Sequence, residues 1–134
     1  MTYKGSCHCG KIAFEVEGEL TAATACNCSM CSRKGSLLWF VPRDNMHLLT
    51  SPNDVGTYTF NKHRIQHHFC RVCGMHPYAD GVDPKGNPMA AINVRCLPEV
   101  ELASVQVKNF DGRSLCSTPT GTFVADQPPS WSKL

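Results

Sequence analysis

The sequence predicts a mainly-β domain with little helix, cross-linked through its cysteines. Three observations predict it. Lys11-Ile-Ala-Phe-Glu-Val-Glu17 alternates with period two, the mark of a half-buried strand. Later apolar runs are short and separated by breakers such as Ser51-Pro-Asn-Asp54 and Asp83-Pro-Lys-Gly-Asn-Pro88, as strands joined by turns require. Seven of the nine cysteines fall into three tight clusters.

Taken in order, Ile12, Phe14 and Val16 of the alternating segment share one side and point to a core. Asn27 to Lys34 suggests a single short helical turn. Leu37-Leu-Trp-Phe-Val41 ends at Pro42 and reads as a buried strand. Further strands are expected at Gly56–Phe60, Ile65–Phe69, Met89–Val94 and Ser104–Phe110. Beyond Cys116 the pattern fades into Thr-Pro-Thr-Gly and Asp-Gln-Pro-Pro-Ser-Trp, which predicts an extended tail over 116–134 after a domain of roughly 1–115.

The 134 residues suit one domain, and 42% hydrophobic with 18% charged residues provide a modest core. Metal cross-links would therefore matter to stability. The first ten residues lack the apolar stretch of a secretory signal, and Leu37 to Val41 is too short to cross a bilayer. A cytoplasmic protein without a membrane partner is expected. In a reducing compartment clustered cysteines hold metal or do chemistry more often than they form disulfides. Seven thiolates on two Zn²⁺ ions would turn the formal +2 into about −1. The apparent basicity is then no nucleic-acid signal, and no dense Lys/Arg stripe revives it.

Zinc takes soft ligands in a tetrahedron with Zn–S bonds of about 2.3 Å, and close cysteine pairs on tight turns supply two corners each. Cys70-Arg-Val-Cys73-Gly74 is such a turn, with Gly74 available for a positive φ. Cys7-His-Cys9-Gly10 places two side chains on one face of an extended segment. Cys26, Cys28 and Cys31 can wrap one ion alone, leaving Cys7, Cys9, Cys70 and Cys73 to share another. Four thiols close a site, whereas three leave a place for water or substrate. Spacing also permits a single zinc on Cys28, Cys31, Cys70 and Cys73.

Gly5-Ser-Cys-His-Cys-Gly10, Cys26-Asn-Cys-Ser-Met-Cys-Ser-Arg-Lys-Gly35, His68-Phe-Cys-Arg-Val-Cys-Gly74 and Asn109-Phe-Asp-Gly112 together resemble the glutathione-dependent formaldehyde-activating enzyme family, which includes centromere protein V-like domains. The resemblance implies a β-tent of small antiparallel sheets. It implies a structural zinc on Cys7, Cys9, Cys70 and Cys73 and a catalytic zinc on Cys26, Cys28 and Cys31; the negative charge of three thiolates would fit a labile hold on the second ion. The implied activity is that of a carbon–sulfur lyase or synthase joining glutathione, or a related thiol, to a small aldehyde. A non-enzymatic zinc scaffold of the same fold is the alternative, and reversible zinc release on oxidation of the triplet a third.

Three thiolates on Zn²⁺ leave a charge of −1, so nearby cations would help; Arg33 and Lys34 are the candidates, against a reading as solvated surface charges. His8, His68 and His76 lie near the cysteines and are expected to be hydrogen-bonders rather than ligands. His67 and His68 alternate on one strand, so at most one should face the core or site. His47 and His63 have no motif around them. Cys96 and Cys116 read as buried free thiols, and Trp39 and Phe40 as core before pocket wall.

Overall fold

The computed structural model describes residues 1–60 and 64–112. Among these residues ten strands are arranged in two sheets. The smaller joins β1 (Thr2–Ser6), β2 (Ala13–Glu17) and β5 (Met46–Leu48) in the order β1-β2-β5, all antiparallel. The larger contains β3 (Ala22–Cys26), β4 (Leu38–Pro42), β6 (Val55–Tyr58), β7 (Gln66–Cys70), β8 (Tyr78–Val82), β9 (Pro88–Asn93) and β10 (Gln106–Phe110). Its order is β10-β3-β4-β9-β8-β7-β6. Pairing is antiparallel except between β3 and β10, which run parallel. One α-helix, α1 (Ser29–Lys34), and four 3-10 turns complete the described chain. The mainly-β expectation holds, with two sheets leaning on a shared core.

Register explains what each face of the large sheet does. His68, Tyr78, Ile92 and Trp39 stand opposite one another across β7, β8, β9 and β4, so they share one face. This face packs under the small sheet: Phe14 approaches Tyr78 at 6.1 Å and Tyr3 meets Trp39 edge-on at 5.4 Å. Ile12, Phe14 and Val16 are each 0% exposed, as their alternation predicted. Each such side chain contributes about 1.5–3 kcal/mol on burial. The neighbouring row, His67, Ala79, Ala91 and Phe40, faces the opposite way. That second face carries the site described below.

Four strands were not anticipated. Gly5 interrupts β1, β3 is alanine-rich, β5 has three residues, and β8 contains Asp80 and Gly81. None has the β-branched or aromatic alternation that marks a strand locally; each is recruited by its neighbours. Gly5 itself is required by packing. A Cβ there would strike the Phe14 ring and come within 2.8 Å of Leu97 Cδ2, both rigidly buried. Gly5→Ala is expected to cost about 1–3 kcal/mol by overpacking, read as a lower urea midpoint with unchanged slope.

Of the histidine pair, the structure corrects the expectation that at most one would face the core or site: His68 faces the core and His67 the cavity. His67 and His68 are both 7% exposed, because β7 lies inside the sheet and both of its faces are occupied. His68 bonds Asp80 Oδ2 through Nε2 at 2.8 Å and Thr57 Oγ1 through Nδ1 at 3.0 Å. Arg43 Nε stands 2.9 Å from Asp80 Oδ1, at ion-pair distance but off the hydrogen-bond line. The expected tail over 116–134, Cys116 and His63 lie outside the described residues.

Candidate metal centre

Two groups of thiols converge. Each set, Cys7/Cys9/Cys70/Cys73 and Cys26/Cys28/Cys31, has all its sulfurs within 4.8 Å of one another, and all seven are free thiols. The structure thus assembles the four-plus-three division and separates Cys28 and Cys31 from Cys70 and Cys73.

The tetrad joins the loop after β1 to the turn after β7. Gly10 and Gly74 adopt φ of 85° and 79°, and Gly74 N–H donates to Cys70 O at 2.9 Å to close the second turn. Cys70 Sγ accepts from Val72 N–H at 3.3 Å and Cys73 N–H at 3.4 Å, and Cys7 Sγ from Ile12 N–H at 3.3 Å. Backbone donors, led by Met75, hold the Cys73 thiol down to about 6. Cys7 and Cys9 sulfurs are 3.7 Å apart, and Cys9 and Cys70 sulfurs 3.6 Å. A tetrahedron with zinc–sulfur bonds near 2.3 Å has sulfur–sulfur edges of about 3.8 Å. The donor set fits zinc.

Cys26 ends β3, Cys28 is the N-cap of α1 and Cys31 lies in its first turn. Cys28 Sγ accepts from Cys31 N–H at 3.3 Å, and Gly35 ends the helix in the left-handed conformation with φ 70°. The hydrogen bond from the Cys31 thiol holds Cys28 down to about 5 and pushes Cys31 strongly up. A lowered thiol beside two others makes a donor set that suits a cation. The end of β10 buttresses the group. Asn27 N–H donates to Phe110 O at 3.2 Å, and Asn27 Nδ2 to Asp111 Oδ1 at 3.0 Å. A Cβ at Gly112 would strike Cys26 Sγ, so Asn109-Phe-Asp-Gly112 closes against the triplet with no space for a side chain.

The triplet opens onto a cavity of about 700 Å³ on the second face of the large sheet. Its floor includes Ala79, Gly81 and Ala91; Leu38, Phe40, Phe60, Ile65, Met89 and Phe110 form apolar walls. Polar side chains also line it: Thr24, Lys34, Ser36, Arg64, His67, His76, Tyr78, Asp80, Asp83 and Asn93. The two candidate cations therefore separate. Lys34 lines the cavity, whereas Arg33 turns back to donate to Ser29 O at 2.9 Å. Burial pushes the Lys34 ammonium down while Cys31 and Cys28 pull it up. The aromatic pair separates likewise: Trp39 is 8% exposed in the core, and Phe40 lines the cavity. Phe60, Arg64, Ser36 and Asn93 carried no motif; the first three lie on connections between strands and only Asn93 on β9, so the tertiary fold alone assembled them.

The remaining residues behave simply. His8 is exposed. Cys96 is buried, accepts from Asn93 Nδ2 at 3.6 Å, and is pushed up to about 11 by burial. His67 stacks on Phe60 at 5.4 Å, and its Nδ1 and that of His76 are buried without a hydrogen-bond partner among the described residues. Burial, then the charges of Lys34, His76 and His68, push His67 down to about 4. A histidine in the unfolded chain titrates near 6.5. The unfolded state thus takes up the proton first, and stability falls with pH between roughly 6.5 and 4. His67→Phe should remove this limb. Between pH 7 and pH 5 the variant is expected to lose less stability than the wild type, by up to about 2 kcal/mol in paired urea titrations. Equal losses would contradict the assignment.

Fold and clusters together define a two-sheet β domain with a group of four and a group of three convergent thiols, each able to hold a metal ion. Residues 2–111 match the family described as "Glutathione-dependent formaldehyde-activating enzyme", and the chain belongs to that family. A solved crystal structure of a Rhodobacter sphaeroides protein is similar, with a TM-score of 0.68 and 27% sequence identity over 78% of this chain and 99% of that one. Among the described residues no helix is long and apolar enough to cross a membrane.

Proposed function

We propose that this chain is a zinc-dependent carbon–sulfur lyase or synthase that joins a thiol, glutathione in the reaction for which the family is named, to a small aldehyde. The observation that carries the reading is the opening of the Cys26/Cys28/Cys31 set onto a cavity of about 700 Å³. Three thiols leave a coordination position free, and the cavity gives a substrate access to it. Cys7, Cys9, Cys70 and Cys73 hold a second, closed zinc that serves the fold.

A zinc ion held by the triplet would supply the positive charge that keeps a substrate thiol ionised. The chain's own residues do the rest. Lys34, beside Cys31 and Cys28, balances the negative charge of the thiolates and faces the alkoxide formed when sulfur adds to the carbonyl. His67, neutral at pH 7, presents an uncharged wall that does not compete for the thiolate. The apolar walls exclude water and so strengthen the Lys34 interaction. In the addition a carbon–sulfur bond forms, the carbonyl π bond breaks, and the proton given up by the thiol ends on the oxygen. The thiol ligands and thiol substrate both suit a reducing, cytoplasmic setting.

The test is exchange spectroscopy by NMR on equilibrated formaldehyde and glutathione, with protein carrying two zinc ions per chain. Exchange between free and hydroxymethylated glutathione is expected to accelerate well beyond the uncatalysed rate. Absence of any acceleration, for this pair and for other thiol–aldehyde pairs, would overturn the proposal.

A further inference from the structure

The second face of the large sheet offers far more apolar surface than a one-carbon aldehyde can use. Its floor is low because Ala79 and Ala91, directly opposite each other on β8 and β9, are small, and the adjoining walls stand above it. Three of those walls are substantially open: Phe40 is 52% exposed, Ile65 51% and Phe110 47%. Exposed apolar surface concentrated around a concave site marks where an apolar ligand gains by leaving water. Glutathione's hydroxymethyl adduct carries two carboxylates and an ammonium. Lys34 and Arg64 can meet such carboxylates where they line the cavity, but the phenyl and aliphatic walls offer no hydrogen bonds, and a charged group laid across them would lose its water uncompensated.

We infer that the adduct handled at the triplet carries an apolar chain or ring of several carbons, seated over Ala79 and Ala91 and against Phe40 and Phe110. This inference rests on the carbon–sulfur reaction proposed above. The apolar group can enter as part of the aldehyde or of the thiol; the recognition chemistry is the same. Either way the adduct forms by addition of S–H across C=O, with the proton ending on oxygen and no oxidant or reductant consumed.

Calorimetric titration of the zinc-loaded full chain with two unreactive thioethers, S-methylglutathione and S-hexylglutathione, tests the seat directly. The hexyl compound is expected to bind at least about tenfold tighter, since each buried methylene adds appreciably to affinity. Ala91→Leu, which raises the floor, and Phe40→Ser, which removes a wall, should each erase most of this advantage while zinc content stays unchanged. NMR exchange then separates the two sources. Hexanal with 2-mercaptoethanol reports an apolar aldehyde, formaldehyde with benzyl mercaptan an apolar thiol, and formaldehyde with glutathione is the reference. At least one apolar pair should be accelerated about tenfold more than the reference.

Equal binding of the two thioethers, with the reference pair still accelerated, overturns the inference and leaves the reaction standing. No acceleration of any pair at full zinc loading removes the reaction and the inference together. A stable dimer that excludes the hexyl compound and dissociates on Phe40→Ser would assign the surface to contact between copies, which also overturns it.

Discussion

Cys70→Ser is expected to unfold the domain at ordinary temperatures. Cys70 is 1% exposed and ends β7, while its sulfur meets that of Cys9, sixty-one positions earlier in the chain, at 3.6 Å. A metal ion held by the tetrad would thus cross-link the first loop to β7, the strand next to the edge of the large sheet. Structural zinc in small finger peptides supplies about 10–16 kcal/mol of apparent binding free energy, comparable with the whole stability of about 5–15 kcal/mol of an ordinary domain. Serine keeps the volume but is a poor zinc ligand. Loss of this centre should remove the cooperative thermal transition seen by circular dichroism and leave the chain unable to retain zinc there. A Cys70→Ser protein that melts cooperatively within a few degrees of the wild type would deny the tetrad its structural role.

Cys28→Ser is expected to do the opposite: abolish the reaction and spare the fold. Cys28 is the N-cap of α1, with its sulfur accepting from Cys31 N–H. Serine is among the best N-cap residues, so the helix retains its cap and stability should change by less than about 1 kcal/mol. The metal site loses a soft ligand. Changes one shell further out already cost about 10–100-fold, so removal of a ligand should cost at least a hundredfold in thiol–aldehyde exchange. Zinc content should fall from two ions per chain to one. The combination discriminates between roles, because general unfolding would lower both quantities together. Full activity with a single zinc per chain would place the chemistry elsewhere.

The contrast between these two variants follows from where each cluster sits. The tetrad is assembled from segments distant in sequence and therefore restrains chain entropy. The triplet is local, spanning β3's last residue and the first turn of α1, so it restrains little. Its value lies in the space before it.

Much of this was legible beforehand. Ile12, Phe14 and Val16 announced a buried strand face by alternation, and all three are fully covered. Cys70-x-x-Cys73-Gly74 announced a metal turn, and Gly74 has the positive φ it was expected to supply. A short helical turn was legible over Asn27 to Lys34, and the helix forms over Ser29–Lys34. Strands β1, β3, β5 and β8 were not, because Gly5, three alanines, a length of three residues and the Asp80-Gly81 pair carry no local preference for extended structure. The separate fates of Arg33 and Lys34, and of Trp39 and Phe40, were equally hidden. Each pair is adjacent in sequence, and only packing decides which member faces inward.

Cysteine spacing and period-two alternation are local properties that pointed to the fold class and to metal-holding cysteines; the family resemblance, carried by the motifs around those cysteines, supplied the four-plus-three grouping that spacing had left open. Tertiary structure alone decided that His67 and His68 are both buried, that Lys34 stands beside the triplet, and that small residues on β8 and β9 open a large apolar cavity before it. The physical reason is register: strands remote in sequence bring Ala79 opposite Ala91 and His67 opposite Ala79. Which face the small sheet then covers is a matter of packing between elements, to which no single segment holds the key.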